Sequence, residues 1–170
     1  ISFEVTILFS FLSVIFLFLI GLFFAILLNR KGTGIGFARG LLMIPWAVPV
    51  FVSAFLWLWI IDVQFGILNY ILSRLHIIGE FRNWLGDPIL AMVGVLMAYV
   101  WRVFPFNMVV YLAQLQSIDN SYYEAAEIDG AAWFQSFIHI TLPLLRNVIV
   151  LAGILNLIWA FQEFTTIWLI

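Results

Sequence analysis

Long apolar runs alternate with short polar segments along the chain. Four runs stand out, at about 5–28, 40–61, 89–112 and 147–170. A helix needs about 20 residues to cross the hydrocarbon core of a bilayer, so each run predicts one membrane-spanning helix. A β-barrel would show runs of roughly 10 residues with strict alternation, and these runs do not alternate. Helices are the other way to satisfy backbone groups in lipid. Pro45 and Pro49 fall inside the second run and predict a kinked or broken helix there. Arg102 and Pro105 interrupt the third run. The expectation is an all-α, polytopic membrane protein with four spans, forming a single membrane domain over 1–170 that is truncated at both ends.

Composition narrows the function classes. Of the 170 residues, 65% are hydrophobic, 18% aromatic and only 9% charged. A soluble domain carries about 25% charged residues. This chain cannot wet the surface of a globule, which excludes a soluble globular protein, a disordered chain and a nucleic-acid binder. There are no cysteines, hence no disulfide and no thiolate metal site.

The placement of the charges carries more than their number. Arg30, Lys31 and Arg39 occupy one polar segment; Asp62, Arg74, Glu80, Arg82 and Asp87 a second; Asp119, Glu124, Glu127 and Asp129 a third. The loops at 29–39 and 113–146 must share one side of the membrane, because two spans separate them. They hold Arg30, Lys31, Arg39 and Arg146, against Arg74 and Arg82 in the loop at 62–88. The excess of Lys and Arg puts the first two loops in the cytoplasm. Trp57, Trp59, Trp84 and Trp168 lie near the expected span ends, where indole favours the interface.

The segment Gln116–Arg146 is longer than a connector between two membrane helices needs to be. Asp119 or Ser121 can cap a helix, with Glu124 at the capping-box spacing from Ser121. Tyr122–Asp129 is rich in helix formers, and Gly130 follows where a helix C-terminus favours glycine. A second helical stretch begins at Ala131, and Ile138 and Pro143 close the segment before the next span. The pattern is a helix, a tight turn and another helix. An ordinary interfacial helix is one reading. Such a helix usually carries Lys and Arg on its polar face, whereas this one carries acids, which favours a groove of a partner protein.

The same segment resembles the EAA motif of importer-type ABC permeases, E-A-A-x3-G-x9-I-x-L-P. Glu124, Ala125 and Ala126, then Gly130, Ile140, Leu142 and Pro143 match every fixed position. The stretches around Trp101-Arg102 and Pro105-Phe106, Leu115-Gln116, and Tyr123 to Ala131 are similar to the sugar-importer branch, of the maltose or glycerol-phosphate type. So are Arg39 with Pro45-Trp46 and Pro49, and Trp57 through Gly66 to Asn69.

The resemblance implies a type I permease subunit of six spans, with one span missing at each end of this chain. It also implies a multi-pass protein of a bacterial or archaeal plasma (inner) membrane. Residues 117–143 would be a cytoplasmic coupling loop. Glu124 would pair with a basic group of a cytoplasmic ABC ATPase dimer, Ala125 and Ala126 would allow close approach, and Asp129 would lie at the same docking surface. Gly130 would make the turn, and Ile140, Leu142 and Pro143 would anchor the segment at the bilayer. Further implied partners are a second permease subunit, an extracytoplasmic solute-binding protein and membrane lipid, with no nucleic acid. The chain would be non-catalytic and bind no cofactor, with ATP and Mg on the ATPase. Gly32-x-Gly34-x-Gly36 lacks the lysine of a phosphate-binding loop, and His76 and His139 have no metal-ligand spacing.

Two ionisable groups, Arg102 and Glu163, fall well inside apolar runs, where a charge is costly and usually functional. Asn156, Trp159 and Glu163 recur at i, i+3 and i+7 and so share one helix face. Amides, acids and aromatic faces are what a sugar site uses, so this face is a candidate lining of a translocation path. A contact between helices is the competing reading for it. For Arg102 the competing readings are snorkelling and a hydrogen bond that holds a bend near Pro105. The function expected is ATP-driven import of a sugar or sugar-like solute by alternating access. The alternatives are a permease for an amino acid, phosphate or oxyanion, and a non-transport membrane protein.

Overall fold

The computed structural model describes residues 2–30 and 32–170, so Lys31 of the basic cluster lies outside the described residues. The described chain is helical, with no strand among the described residues. Helix α1 covers Ser2–Leu28, α2 Ile35–Ala47, α3 Val50–Ile60, α4 Ile67–Arg74 and α5 Pro88–Ser117. Then come α6 over Ser121–Ile128 and α7 over Trp133–Ser136. A π-helical turn, Phe137–Thr141, leads from α7 directly into α8, Leu142–Gln162, and α9 spans Thr165–Leu169.

Three helical stretches are long and apolar enough to cross a membrane: Phe3–Leu28, Pro88–Ser117 and Trp133–Leu169. Helices α2 and α3 pass the same test only as a pair, bent by 97° at the break between them. The break falls at Val48 and Pro49, both extended, because Pro49 offers no N–H to continue the ladder. The broken span expected from Pro45 and Pro49 is present, and Pro49 breaks it; Pro45 lies inside α2, buried.

α1 packs mainly along α5, with α8 as its second neighbour. Phe9 meets Tyr99 near one end, and Gly21 meets Asn107 further along, so α1 and α5 run in the same direction. α8 runs the other way, with Asn156 on Asn107 and Glu163 on Arg102. Two clusters of buried side chains result. One joins Phe9, Leu17, Tyr99, Val103 and Ala160. The other joins Leu22, Ala25, Met108, Leu112, Leu145 and Ala152. α2 packs on the second cluster through Met43, whereas Ile61 after α3 lies against Gly94. The bent pair thus travels from the Leu112 end of α5 to the Gly94 end. It carries the chain back across the layer, as two parallel neighbours require.

Several boundaries differ from the sequence expectation. The third span is an unbroken helix through Arg102 and Pro105, reaching Ser117 rather than 112. α1, α2 and α8 pack against this helix, whose Pro105 leaves one ladder hydrogen bond unmade. Pro143 does not close a segment. It lies in the first turn of α8, where an absent N–H costs least. The preceding π-turn, in which the Leu142 N–H reaches back to Phe137, joins it to α7. The fourth span therefore starts before 147 and reaches Leu169, close to the expected end, but it is broken after Gln162, where Glu163 is extended. Trp84, just before α5, is buried, and its Nε1 donates to Asn69 at 3.0 Å. Asn69 itself is sealed, and it also holds the Arg82 backbone N–H and O and thereby folds the connection 61–87 on itself.

Candidate functional site

Two features project chemistry out of this scaffold, at opposite ends of α8. The first is the helix–turn–helix beyond α5. Asp119 Oδ1 accepts the Ser121 N–H at 2.9 Å and starts α6. Of the two capping residues the sequence offered, Asp119 is used; the Ser121–Glu124 box does not form, since Ser121 is already helical. That bond to Ser121 holds the Asp119 carboxyl below the usual carboxylate range. At the other end Gly130 has φ +76. Its N–H bonds to Glu127 O and the Ala131 N–H to Ala126 O, which is the pairing of a Schellman C-cap. An L side chain is strained at that φ, so glycine is the residue the turn requires.

Ser121–Ile128 contains no buried residue. Glu124, Ala125, Asp129 and Gly130 are exposed, Ala126 is half-buried, and Glu124 sits in the first turn of α6, where a negative charge opposes the helix dipole favourably. Ile128 is 87% exposed and Trp133 70%. An acidic helix carrying large uncovered apolar side chains has the make-up of a docking surface rather than of a solvated linker. Ile140 and Leu142 are half-buried and Pro143 exposed, all on the continuous helix that enters the membrane layer. The Tyr123 hydroxyl meets Thr141 Oγ1 at 2.9 Å, joining α6 to the π-turn.

The second feature lies in the middle of the layer. Trp46, Tyr99, Arg102, Trp159, Gln162 and Glu163 surround a cavity of about 360 Å³. Ligand pockets for small molecules occupy about 300–1,000 Å³. Arg102 forms a salt bridge with Glu163, and the two side chains keep 20% and 9% of their surface exposed. Neither charge snorkels; each is the other's counter-ion, as intramembrane charges require. The Glu163 carboxylate also accepts the Thr166 N–H at 3.0 Å and its hydroxyl at 2.8 Å. It therefore caps α9 while holding α5. Trp46 stacks on Phe106, which meets Trp159 edge-on at 5.0 Å, so an aromatic wall stands beside the ion pair. The Tyr99 hydroxyl is buried without a hydrogen-bond partner.

The candidate face Asn156, Trp159 and Glu163 is divided. Trp159 and Glu163 reach the cavity, but Asn156 does not line it. It is 1% exposed and exchanges side-chain hydrogen bonds with Asn107 across α5 and α8. Glu163 shares no helix face with the others because α8 has already ended. Sequence reasoning missed Tyr99, Asn107 and the Tyr123–Thr141 link. Tyr99 was within reach, three residues before Arg102 and so on its face of the helix. Asn107, an uncharged amide at mid-span, was obscured by attention to formal charge.

Comparison with known proteins places the chain. Residues 5–170 match the family model described as the binding-protein-dependent transport system inner membrane component. The chain is 43% identical over 166 residues to the trehalose/maltose transport system permease protein MalF of Thermococcus litoralis, covering 98% of this chain and 56% of that protein. It is 37% identical to the xylose/arabinose import permease protein XacH of Haloferax volcanii, covering 86% of this chain and 45% of that one. The chain thus spans about half the length of the curated relatives it matches. Its fold matches a chain in the crystal structure of a bacterial ABC transporter involved in the import of alginate, with a TM-score of 0.80 at 23% identity, over 94% of this chain and 56% of that chain. A helical membrane layer with the intact EAA spacing and a family match over nearly its whole length make this chain a member of the binding-protein-dependent transport system inner membrane components.

Proposed function

We propose that the chain is the membrane-spanning part of a permease subunit in an ATP-driven importer, carrying a sugar or sugar-like solute into the cytoplasm. The observation that carries this reading is the exposed α6–Gly130–α7 unit, which presents Glu124, Ala125, Ala126 and Gly130 of the EAA pattern at one end of the helical layer. A cytoplasmic ATPase dimer is its partner, with Glu124 facing a basic group, Ala125 and Ala126 leaving room, and Asp129 beside them. Ile140, Leu142 and Pro143 tie the unit to α8. ATP and Mg²⁺ stay on the ATPase, and this chain does no bond chemistry. A second permease subunit completes the pathway, and an extracytoplasmic binding protein delivers the solute. Closure of the ATPase then shifts the permease pair from inward-open to outward-open.

The solute path runs past the Arg102–Glu163 cavity. Its paired charges, aromatic wall and unpartnered Tyr99 hydroxyl suit a neutral polyhydroxyl solute: a solute hydroxyl pairs with Tyr99, and ring faces cover the apolar sugar face. Trp159 and Glu163 contribute directly, and Asn156 joins the path only where its pair with Asn107 opens. The sugars in the names of the relatives, trehalose, maltose, xylose and arabinose, favour the same class.

The test is uptake of radiolabelled maltose, trehalose, xylose and arabinose by the complete transporter in proteoliposomes. At least one should enter in an ATP-dependent way. Uptake of labelled phosphate or an amino acid, with no sugar moving, would refute the sugar reading. In the same vesicles Glu124→Lys should cut uptake at least tenfold, since it sets two cations together in the docking cleft. Gly130→Pro should do likewise, while both subunits still reach the membrane. Normal uptake in both variants would remove the coupling role.

A further inference from the structure

The helix α6 is joined to the membrane layer by its two chain ends and by one side-chain hydrogen bond. Among the described residues that bond, Tyr123 to Thr141 at 2.9 Å, is the side-chain hydrogen bond from α6 to another helix. Its two ends differ. Tyr123 is half-buried on an otherwise open helix, whereas Thr141 is 6% exposed. Thr141 is also the last residue of the π-turn, immediately before α8. Leu145, one turn further, is fully buried among Leu22, Met108 and Leu112.

A π-turn is a place where a helix can change register, because its i→i+5 bonds compete with ordinary i→i+4 bonds. Pro143 has no N–H and so cannot bond back to His139 O. That leaves the turn before α8 without one of the bonds that would fix ordinary helical register. Beside it lies a cavity of about 270 Å³, lined by Tyr123, Phe137 and Thr141 together with Ile26, Asn29 and Leu115. The link therefore joins an exposed helix to a soft turn with room to move. The far side of that turn is gripped by the core.

We infer that the Tyr123–Thr141 hydrogen bond is the strut through which displacement of α6 repositions the inner end of α8. Tyr123 and Thr141 are positioning residues: they touch neither solute nor nucleotide, and they act through α8. The inference rests on the proposed coupling role of α6. Without the bond, the covalent route from α6 to α8 is the Gly130 turn and the short α7.

The experiment follows α8 directly. The chain has no cysteine of its own. Nitroxide labels are placed at Leu41→Cys on α2 and Arg146→Cys on α8 in the complete transporter, held in lipid nanodiscs. The distance distribution is recorded without nucleotide and after trapping with ATP and vanadate. The unsubstituted pair should shift between two distances on trapping. Tyr123→Phe and Thr141→Val should each lower the shifted population relative to the unshifted one by about fivefold, the worth of one ordinary hydrogen bond. The double variant should be no worse than either single one, and Thr141→Ser should behave as the unsubstituted protein. Multiplying losses in the double variant, or a full shift in Tyr123→Phe, would overturn the strut while leaving the coupling role standing. A missing shift in the unsubstituted transporter would instead overturn the coupling role and the strut with it. Copurification of the ATPase with every variant separates these outcomes from failed assembly.

Discussion

At the scale of single residues, close approach and charge pairing decide what each position tolerates. A Cβ on Gly21 would lie 2.6 Å from the Asn107 Cβ and 3.3 Å from the α5 backbone. Both helices would have to separate. Gly21→Ala should therefore destabilise the α1–α5 pair by about 1–3 kcal/mol, the usual cost of overpacking. It should lower the thermal midpoint of the purified transporter, and an unchanged midpoint would contradict the close approach. Arg102 and Glu163 follow a different rule. Removing one partner of a fully buried pair costs about 3–5 kcal/mol, because the other charge stays behind. Arg102 keeps a fifth of its side-chain surface exposed, so Arg102→Ala should cost less, about 2 kcal/mol. Glu163→Gln retains an oxygen to accept from Thr166 and should be milder. A thermal-shift series on the two variants checks the order. The sequence showed that these two charges were out of place in lipid. It could not show that they meet, because 61 residues separate them.

Among elements, α6 and α8 mark the reach and the end of pattern reading. The helix former run, the acids and Gly130 defined α6 almost to the residue, because its ends are set by local chemistry: an aspartate accepting an N–H and a glycine with positive φ. The fourth span departs from its pattern for the opposite reason, starting earlier than expected and breaking between α8 and α9. Proline is usually a stop signal, but here it falls within the first turn, and the π-turn before it keeps the helix continuous. At the far end, Glu163 sits in an apolar run that looks like uninterrupted helix. Its carboxylate, taken by Arg102 and Thr166, is compatible with the break, and no local letter announced it. The cap on α6 also carries a pH dependence. The Asp119 carboxyl is held low by the Ser121 N–H. A group with a lowered folded-state value stabilises the fold above its unfolded value, near pH 4, and loses that contribution as pH falls through the lower folded value. Hydrogen exchange of the first α6 amides should therefore quicken, after correction for intrinsic rates, as pH drops below about 4. Asp119→Asn, which keeps an acceptor but no titrating group, should flatten that dependence; an equal dependence in the variant would exclude Asp119 as its source.

Over the whole molecule, the long apolar helices were legible and their packing was not. Spans are written into the chain by hydrocarbon thickness alone. Neighbours depend on which faces meet, and nearly featureless apolar helices hide those faces. The parallel run of α1 beside α5 is the consequential result. It requires α2 and α3, although bent by 97°, to return the chain across the layer between them. Asn29, Arg30, residues 32–34 and the α6–α7 unit then lie on one side, and the Asn69-centred connection 61–87 on the other. By the positive-inside rule, Arg30 and Arg39 make the first side the expected cytoplasmic one; Arg39 donates to Leu28 O at the open end of α1. A cysteine-free chain lets this be tested one residue at a time. Phe65→Cys, at a position 78% exposed in the 61–87 connection, should react in intact cells with a membrane-impermeant maleimide. Glu127→Cys, on exposed α6, should react only after the membrane is permeabilised. If both react in intact cells, the bent pair does not cross and α6 cannot face an ATPase. If the pattern is reversed, the crossings stand but the orientation drawn from Arg30 and Arg39 is inverted.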